Sequence, residues 1–207
     1  MKLPDEIKTI TEINEVTTLI NKSRFIAQVF PIFSEDEVKG YLAGVKKKYY
    51  DASHHCYAFK LADSSFRYSD AGEPNGTAGI RILNAIEHFN LFNQLIIVSR
   101  IFGGVKLGVG PLGKAYFQSA LNVIDSSKIS NKRLFNKATI STSYERISSI
   151  QRILQTHQSI IQDSEYKDTI KLTCLLRSSE VELVSKKIAE LDRTNTSVII
   201  QEETVYN

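Results

Sequence analysis

The stretch "RIFGGVKLGVGPLGKAY", Arg100–Tyr116, holds five of the ten glycines in the chain. It follows "QLIIVS" (94–99), a short apolar run typical of a strand that is buried on both faces. It passes into "LGKAYFQSALNVI" (112–124), whose apolar spacing is typical of a helix. The order of strand, glycine loop and helix therefore predicts an α/β unit whose most flexible backbone lies between two ordered elements.

The residues before this stretch extend the pattern. The predicted element order is β-β-α-β-β-α-β-α, which indicates a sheet with helices packed on one face. The predicted elements are two strands over 15–30 that turn at Asn21–Lys22, a helix over 34–50, a strand pair over 54–70 that turns at 62–64, and a helix over 78–89 with Thr77 as its N-cap.

The residues after this stretch predict a second domain. The polar stretch "DSSKISNKRLFN" (125–136) indicates a boundary, and the order β-α-β-β-α-β that follows is typical of a ferredoxin-like fold. We therefore expect an α+β or α/β protein of two domains, with limits 1–133 and 136–207.

Composition restricts the class of protein. Hydrophobic residues make up 42% and charged residues 24% of the 207 residues, which is typical of a globular chain and not of a disordered one. No apolar run approaches the roughly 18 residues that cross a bilayer, and the charged start lacks the apolar core of a secretory signal. The two cysteines, Cys56 and Cys174, form no CxxC pair. A cytoplasmic protein without a membrane partner is expected.

Two loops have the composition of an anion-binding site. Glycine lets a ligand approach the backbone, and a glycine turn that enters a helix presents free amides at the positive end of the helix dipole. The first loop offers Arg100, Gly103, Gly104, Lys106, Gly108 and Lys114, and the second loop, "DAGEPNGTAG" (70–79), offers Asp70, Glu73, Gly76 and Thr77. Glycine loops also form tight turns without any ligand, and that alternative stays open. Neither loop matches a nucleotide-binding motif, so no cofactor is expected.

Other reactive residues give weaker signals. Asp70 and Glu73 suit acid–base work, or Asp70 caps a turn while Glu73 orients Arg67, Arg81 or Arg100, and the second alternative is favoured. The run "HHC" (54–56) on a strand points neighbouring side chains to opposite faces, which is poor geometry for a shared metal, so no metal site is expected. No catalytic triad is identified, and a binding role is favoured over an enzymatic one.

Four motifs carry a resemblance to a known family. "KSRFIA", "DASHHCYAF", "RYSDAGEPNGTAG" and "RIFGGVKLGVGPLGKAY" occur in the order and form that closely resemble the YigZ/IMPACT family, over Lys22–Val123. The resemblance implies a first domain with the fold of the second domain of ribosomal protein five of the small subunit. The tail resembles the second domain of bacterial members, which is similar to the fifth domain of elongation factor G.

The same resemblance implies partners in translation. RNA or a ribosomal partner is the implied target of such modules, and eukaryotic relatives restrain a starvation-responsive kinase through protein contact. The chain departs from the family pattern at Ala71, where a second acid is usual, at Val109, where a threonine is usual, and at Pro111, where a glycine is usual. Ala71 weakens the case for a carboxylate-pair site, and Pro111 removes one amide donor.

Three hypotheses follow. The leading one is a translation-associated regulator that binds RNA or a ribosomal partner through the glycine-rich basic loops of the first domain. The second is an enzyme that acts on a small phosphorylated or anionic substrate in the same pocket. The third is a pure protein–protein regulator of a stress-response kinase pathway. The sequence assigns no role to His54, His55 or Cys56.

Overall fold

The computed structural model describes residues 3–191 and 195–207, which divide into two compact units. One unit contains Ile7–Asn131, and the other contains Leu3–Glu6 and Lys132–Asn207. The elements in chain order are β1 Glu6–Ile10, β2 Asn14–Ile20, β3 Ser23–Pro31, α1 Asp36–Lys48, β4 His54–Lys60, β5 Phe66–Ser69, α2 Gly79–His88, β6 Gln94–Ile101, α3 Val109–Asp125, β7 Ile129–Thr142, α4 Ile147–Thr156, β8 Ile160–Tyr166, β9 Ile170–Arg177, α5 Val181–Leu191 and β10 Ser197–Tyr206.

The first unit is built on a five-stranded antiparallel sheet in the order β2-β3-β6-β4-β5. The predicted hairpin between β2 and β3 is confirmed, and Asn21 and Lys22 hold it with positive φ angles of 45° and 66°. Two successive left-handed residues match the twist of a two-residue hairpin, and Asn adopts that region with little strain. This turn positions the start of β3 beside the first glycine loop.

The helices cover both faces of this sheet, so the predicted packing on one face is wrong. Helices α2 and α3 bury Ile96 and Val98 of β6 in one core. Helix α1 buries Leu95 and Ile97 in a second core on the opposite face. Because successive residues of a strand point to opposite faces, the continuous apolar run of β6 serves both cores. The double burial holds β6 rigidly, and β6 carries Arg100 to the site.

The second unit has the predicted ferredoxin-like element order, from β7 to β10. Its sheet runs β10-β7-β9-β8 with antiparallel pairs, and β1, which the sequence did not predict, also joins β7. Helices α4 and α5 bury Ile150, Leu154, Val184 and Ile188 against the sheet. The polar stretch in which the sequence predicts a boundary forms the start of a strand, because β7 begins at Ile129. Among the described residues, no helix combines the length and the apolar character needed to cross a membrane.

Candidate functional site

Both glycine-rich loops of the first unit line one cleft of about 450 Å³, which we call the interloop cleft. The first loop enters it directly after β6, and the second loop enters it directly before α2. The two loops therefore meet at this cleft. The cleft is lined by His54, Gly72, Glu73, Pro74, Arg100, Phe102, Lys106, Leu107, Gly108, Val109 and Leu112.

A buried ion pair lies at the base of this cleft. Arg100 Nη1 donates to Glu73 Oε1 over 2.8 Å, and only 7% and 3% of the two side chains are exposed. The Tyr116 hydroxyl donates to the same Glu73 oxygen over 2.8 Å. The Arg100 guanidinium carbon also lies 5.5 Å from the ring centres of Phe25 and Phe102. The sequence predicts that Arg100 meets phosphates, but the Glu73 carboxylate balances its charge within the protein. The interpretation in which Glu73 orients an arginine is confirmed for Arg100.

Asp70 caps helix α2. Its Oδ1 accepts the amides of Ala78 and Gly79 over 2.9 and 2.8 Å, and its Oδ2 accepts the amide of Gly76 over 2.9 Å. A carboxylate at a helix N-terminus satisfies free amides and meets the positive end of the dipole. Thr77 was predicted as the N-cap, and this is wrong: its hydroxyl donates to the Pro74 carbonyl instead.

Two amides of the second loop are already satisfied within the protein. The Gly76 amide is held by Asp70, and the Thr77 amide donates to the Pro74 carbonyl over 3.1 Å. The prediction that Asp70, Gly76 and Thr77 receive an anion is inconsistent with these internal hydrogen bonds. Glu73 does line the cleft, as the partner of Arg100.

The first loop divides into a structural half and an open half. The Gly103 amide donates to Ser23 Oγ over 3.3 Å, and a Cβ at Gly103 would collide with the Lys22 carbonyl. Gly103 is thus required for close packing on the β2–β3 turn. In contrast, no described residue accepts a hydrogen bond from the amides of 104–110, and Gly104 and Gly108 have positive φ angles of 86° and 79°. This open half is the part of the loop whose amides are available to a ligand.

The two lysines of the loop have different surroundings. Lys106 is exposed and lines the interloop cleft. Lys114 is exposed on α3 and is not among the residues that line it. Only Lys106 is therefore placed to act with the cleft, and Lys114 provides a natural control for it.

The adjacent residues 54–56 have three separate environments. His54 Nδ1 lies 2.9 Å from the Ala71 carbonyl, so Nδ1 carries the proton and Nε2 is directed to Glu73 Oε2 at 3.8 Å. His55 Nδ1 pairs with Ser99 Oγ over 2.8 Å, and burial lowers the pKa of this imidazole. Burial raises the pKa of the Cys56 thiol to about 12, so Cys56 is not a nucleophile at neutral pH. Of the three, His54 is the residue that reaches the cleft.

Sequence reasoning missed two parts of the site. Phe102 lines the cleft with 44% of its surface exposed and the Arg100 guanidinium behind it. Tyr116 is fully buried and joins Glu73 to the helix that follows the loop. An aromatic residue directly before a glycine pair was a usable signal for Phe102, whereas Tyr116 had no signal beyond its helical spacing.

The site has the chemistry of an anion and ring receptor. Lys106 supplies one mobile charge, the 104–110 amides supply donors, and Phe102 supplies an exposed ring face. The buried ion pair fixes the floor without adding net charge. Groups of these three kinds can contact an anion and the face of a flat ring.

Two sequence families match the two parts of the chain. The sequence model described as "Impact N-terminal domain" matches residues 21–124. The model described as "Domain of unknown function (DUF1949)" matches residues 140–192. The matched ranges follow the order of the two compact units along the chain.

Individual proteins match over nearly the whole length. The chain is 27% identical over 192 residues to the IMPACT family member YvyE of Bacillus subtilis (strain 168), covering 92% of this chain and 88% of that protein. It is 30% identical over 189 residues to an IMPACT family member of Haemophilus influenzae, covering 88% and 89%. A crystal structure described as that of a hypothetical protein superposes with a TM-score of 0.68 at 27% identity, covering 97% of this chain and 100% of the other.

Proposed function

The chain belongs to the IMPACT family, and from this premise we propose that it is a cytoplasmic, translation-associated regulator that binds single-stranded RNA through the interloop cleft. The observation that carries the proposal is the run of amides over 104–110. No described residue accepts a hydrogen bond from them, and they lie beside Lys106 and the exposed face of Phe102. Backbone amides and lysine contact phosphates, while an aromatic face stacks on a base. The three features together fit a nucleotide unit of a single strand.

The buried ion pair supports the same proposal. Phe102 is one of two rings that lie 5.5 Å from the Arg100 guanidinium carbon, and Arg100 is held by Glu73. A ring fixed before binding loses little conformational freedom when a base stacks on it. Arg100 thus acts as a positioning residue for Phe102, and Lys106 contacts the phosphate.

RNA binding measured across a salt series tests the proposal. The Lys106→Ala variant is expected to reduce the slope of log affinity against log salt by about 0.7, the contribution of one phosphate contact in a single strand. The Phe102→Ala variant is expected to weaken binding by about 1–3 kcal/mol with an unchanged slope, because stacking releases no counterion. Lys114→Ala is the matched control, since Lys114 is exposed on α3 and does not line the cleft. If Lys106→Ala and Lys114→Ala have equal effects, the interloop cleft is not the RNA site.

A second candidate function is an enzyme on a small phosphorylated substrate. The specific observation in its favour is the approach of His54 Nε2 to Glu73 Oε2 at 3.8 Å within the cleft. A His and a carboxylate in one cleft are a typical acid–base pair. This function would be favoured if inorganic pyrophosphate binds saturably and Lys106→Ala abolishes that binding, while the same substitution leaves RNA affinity unchanged. Capture of a protein partner after nuclease treatment, with neither ligand bound, would favour a protein–protein regulator.

A further inference from the structure

A second pocket lies between helices α4 and α5 of the second unit. Its volume is about 270 Å³, and it shares no residue with the interloop cleft. Polar side chains from both helices converge on it, flanked by two apolar ones. The lining residues are Ser149, Arg152, Ile153, Thr156, His157, Lys187 and Leu191.

His157 organises the polar side of this pocket. Its Nδ1 lies 2.9 Å from Glu180 Oε2, and its Nε2 lies 3.0 Å from Lys187 Nζ. A lysine ammonium only donates, so Nε2 accepts and Nδ1 donates to the carboxylate. Only 11% of the imidazole is exposed, which means that its position is fixed by packing as well as by these two bonds. The ring therefore lies between the Glu180 carboxylate and the Lys187 ammonium.

The pocket has more donors than acceptors. No carboxylate of the described residues lies within 4.0 Å of the Arg152 guanidinium or the Lys187 ammonium. The Thr156 hydroxyl donates to the Arg152 carbonyl, so its hydrogen is not available to a ligand. Two cations and a hydroxyl at Ser149 thus face a space in which a ligand would supply the acceptors.

We propose that this pocket binds a phosphoryl group. A tetrahedral oxyanion supplies three or more acceptor oxygens, which the forked donors of an arginine and the ammonium of a lysine can both contact. Ile153 and Leu191 provide an apolar wall for the part of the ligand that carries the phosphoryl group. The proposal is independent of the interloop cleft, because the two sites lie in different units.

The source of the phosphoryl group is either a small phosphorylated molecule or the backbone of a nucleic acid. Two probes distinguish them in the full-length protein, each followed by amide NMR shifts at constant ionic strength: inorganic phosphate and a single-stranded RNA oligomer. Saturable shifts at His157 and Lys187 with inorganic phosphate alone indicate a small ligand. The same shifts with the oligomer at lower concentration indicate a nucleic acid.

Two substitutions and one control test the residues. Lys187→Gln and Arg152→Gln are expected to raise the apparent Kd for phosphate about fivefold or more each, because each removes a charged donor. Lys186→Gln is the matched control: it is adjacent on α5, has the same charge, is exposed and does not line the pocket. Shifts that never saturate, or an equal loss in Lys186→Gln and Lys187→Gln, would overturn the proposal. If the α4–α5 pocket binds no phosphate but RNA binding still depends on Phe102 and Lys106, this proposal is overturned and the proposed RNA-binding function stands.

Discussion

Removal of the Glu73 carboxylate is the sharpest test of how the interloop cleft is held. In Glu73→Ala, the Arg100 guanidinium stays buried beneath Phe102 without its anion, and the Tyr116 hydroxyl loses its acceptor. Breaking a buried ion pair on one side costs about 3–5 kcal/mol, and an orphaned buried hydroxyl adds about 1 kcal/mol. The free energy of unfolding of the first unit is therefore expected to fall by about 4 kcal/mol or more.

The double variant Glu73→Ala/Arg100→Met separates the ion pair from simple loss of packing. It leaves no unpaired buried charge, so it is expected to be more stable than Glu73→Ala alone by about 2 kcal/mol. The measurement is amide hydrogen exchange in β6, Gln94–Ile101, because this central strand reports on opening of the first unit separately from the second.

An exposed ion pair of the same unit supplies the control. Lys48 Nζ lies 2.7 Å from Glu15 Oε2, with 57% and 33% of the side chains exposed. Glu15→Ala is expected to cost less than about 1 kcal/mol, since water screens such pairs. If Glu73→Ala costs no more than Glu15→Ala, or if the costs of the Glu73 and Arg100 substitutions simply add, the buried ion pair does not hold the cleft.

Two further predictions concern the glycine loop and the buried thiols. Gly103→Ala is expected to lower the free energy of unfolding by about 1–3 kcal/mol, because the new Cβ would collide with the Lys22 carbonyl. In Gly110→Ala the new Cβ meets open space, so this variant is expected to be neutral or stabilising by up to about 1 kcal/mol. Urea titrations measure the free energy of unfolding of both variants. Burial raises the pKa of Cys56 to about 12 and of Cys174 to about 11, so the unfolded chain releases these protons first as the pH rises above about 9. The contribution of the two thiols to stability is therefore fully present below about pH 9 and is then lost at up to about 1.4 kcal/mol per pH unit for each thiol. Thermal unfolding at pH 8–11 measures the decline, and Cys56→Ala should reduce it in the first unit, while an unchanged slope would contradict the burial argument.

The sequence predicted the elements well where periodicity was strong. The strand β3, the turn at Asn21–Lys22 and the apolar run of β6 all lie where the sequence predicts them. The ferredoxin-like order of the second unit also followed from its alternating strands and amphipathic helices. These are local patterns, and local patterns are set by which face of an element is buried.

The errors came from partners that are distant in the sequence. Thr77 lies nearer in sequence to the start of α2 and is a common N-cap residue type, but Asp70 reaches three amides there from the preceding strand end. Helix α1 packs on the far face of the sheet, which no spacing rule specifies. The favoured interpretation pairs Glu73 with Arg67, Arg81 or Arg100, but nothing in the sequence shows that Arg100 is the one that shares its burial. Local propensity gives way to tertiary contacts at each of these positions.

The balance of charge in the interloop cleft sets what kind of RNA binding it supports. Two cationic side chains, Arg100 and Lys106, line the cleft, and Glu73 neutralises Arg100. Lys106 has no carboxylate partner among the described residues, so it supplies the unbalanced positive charge. One phosphate contact in a single strand gives a salt slope of only about −0.7, so most of the affinity must come from stacking on Phe102 and from the amides of the loop. Binding through this cleft is thus expected to resist added salt. A steep salt dependence would mean that RNA is held by a different, more basic surface, even if the affinity itself were high.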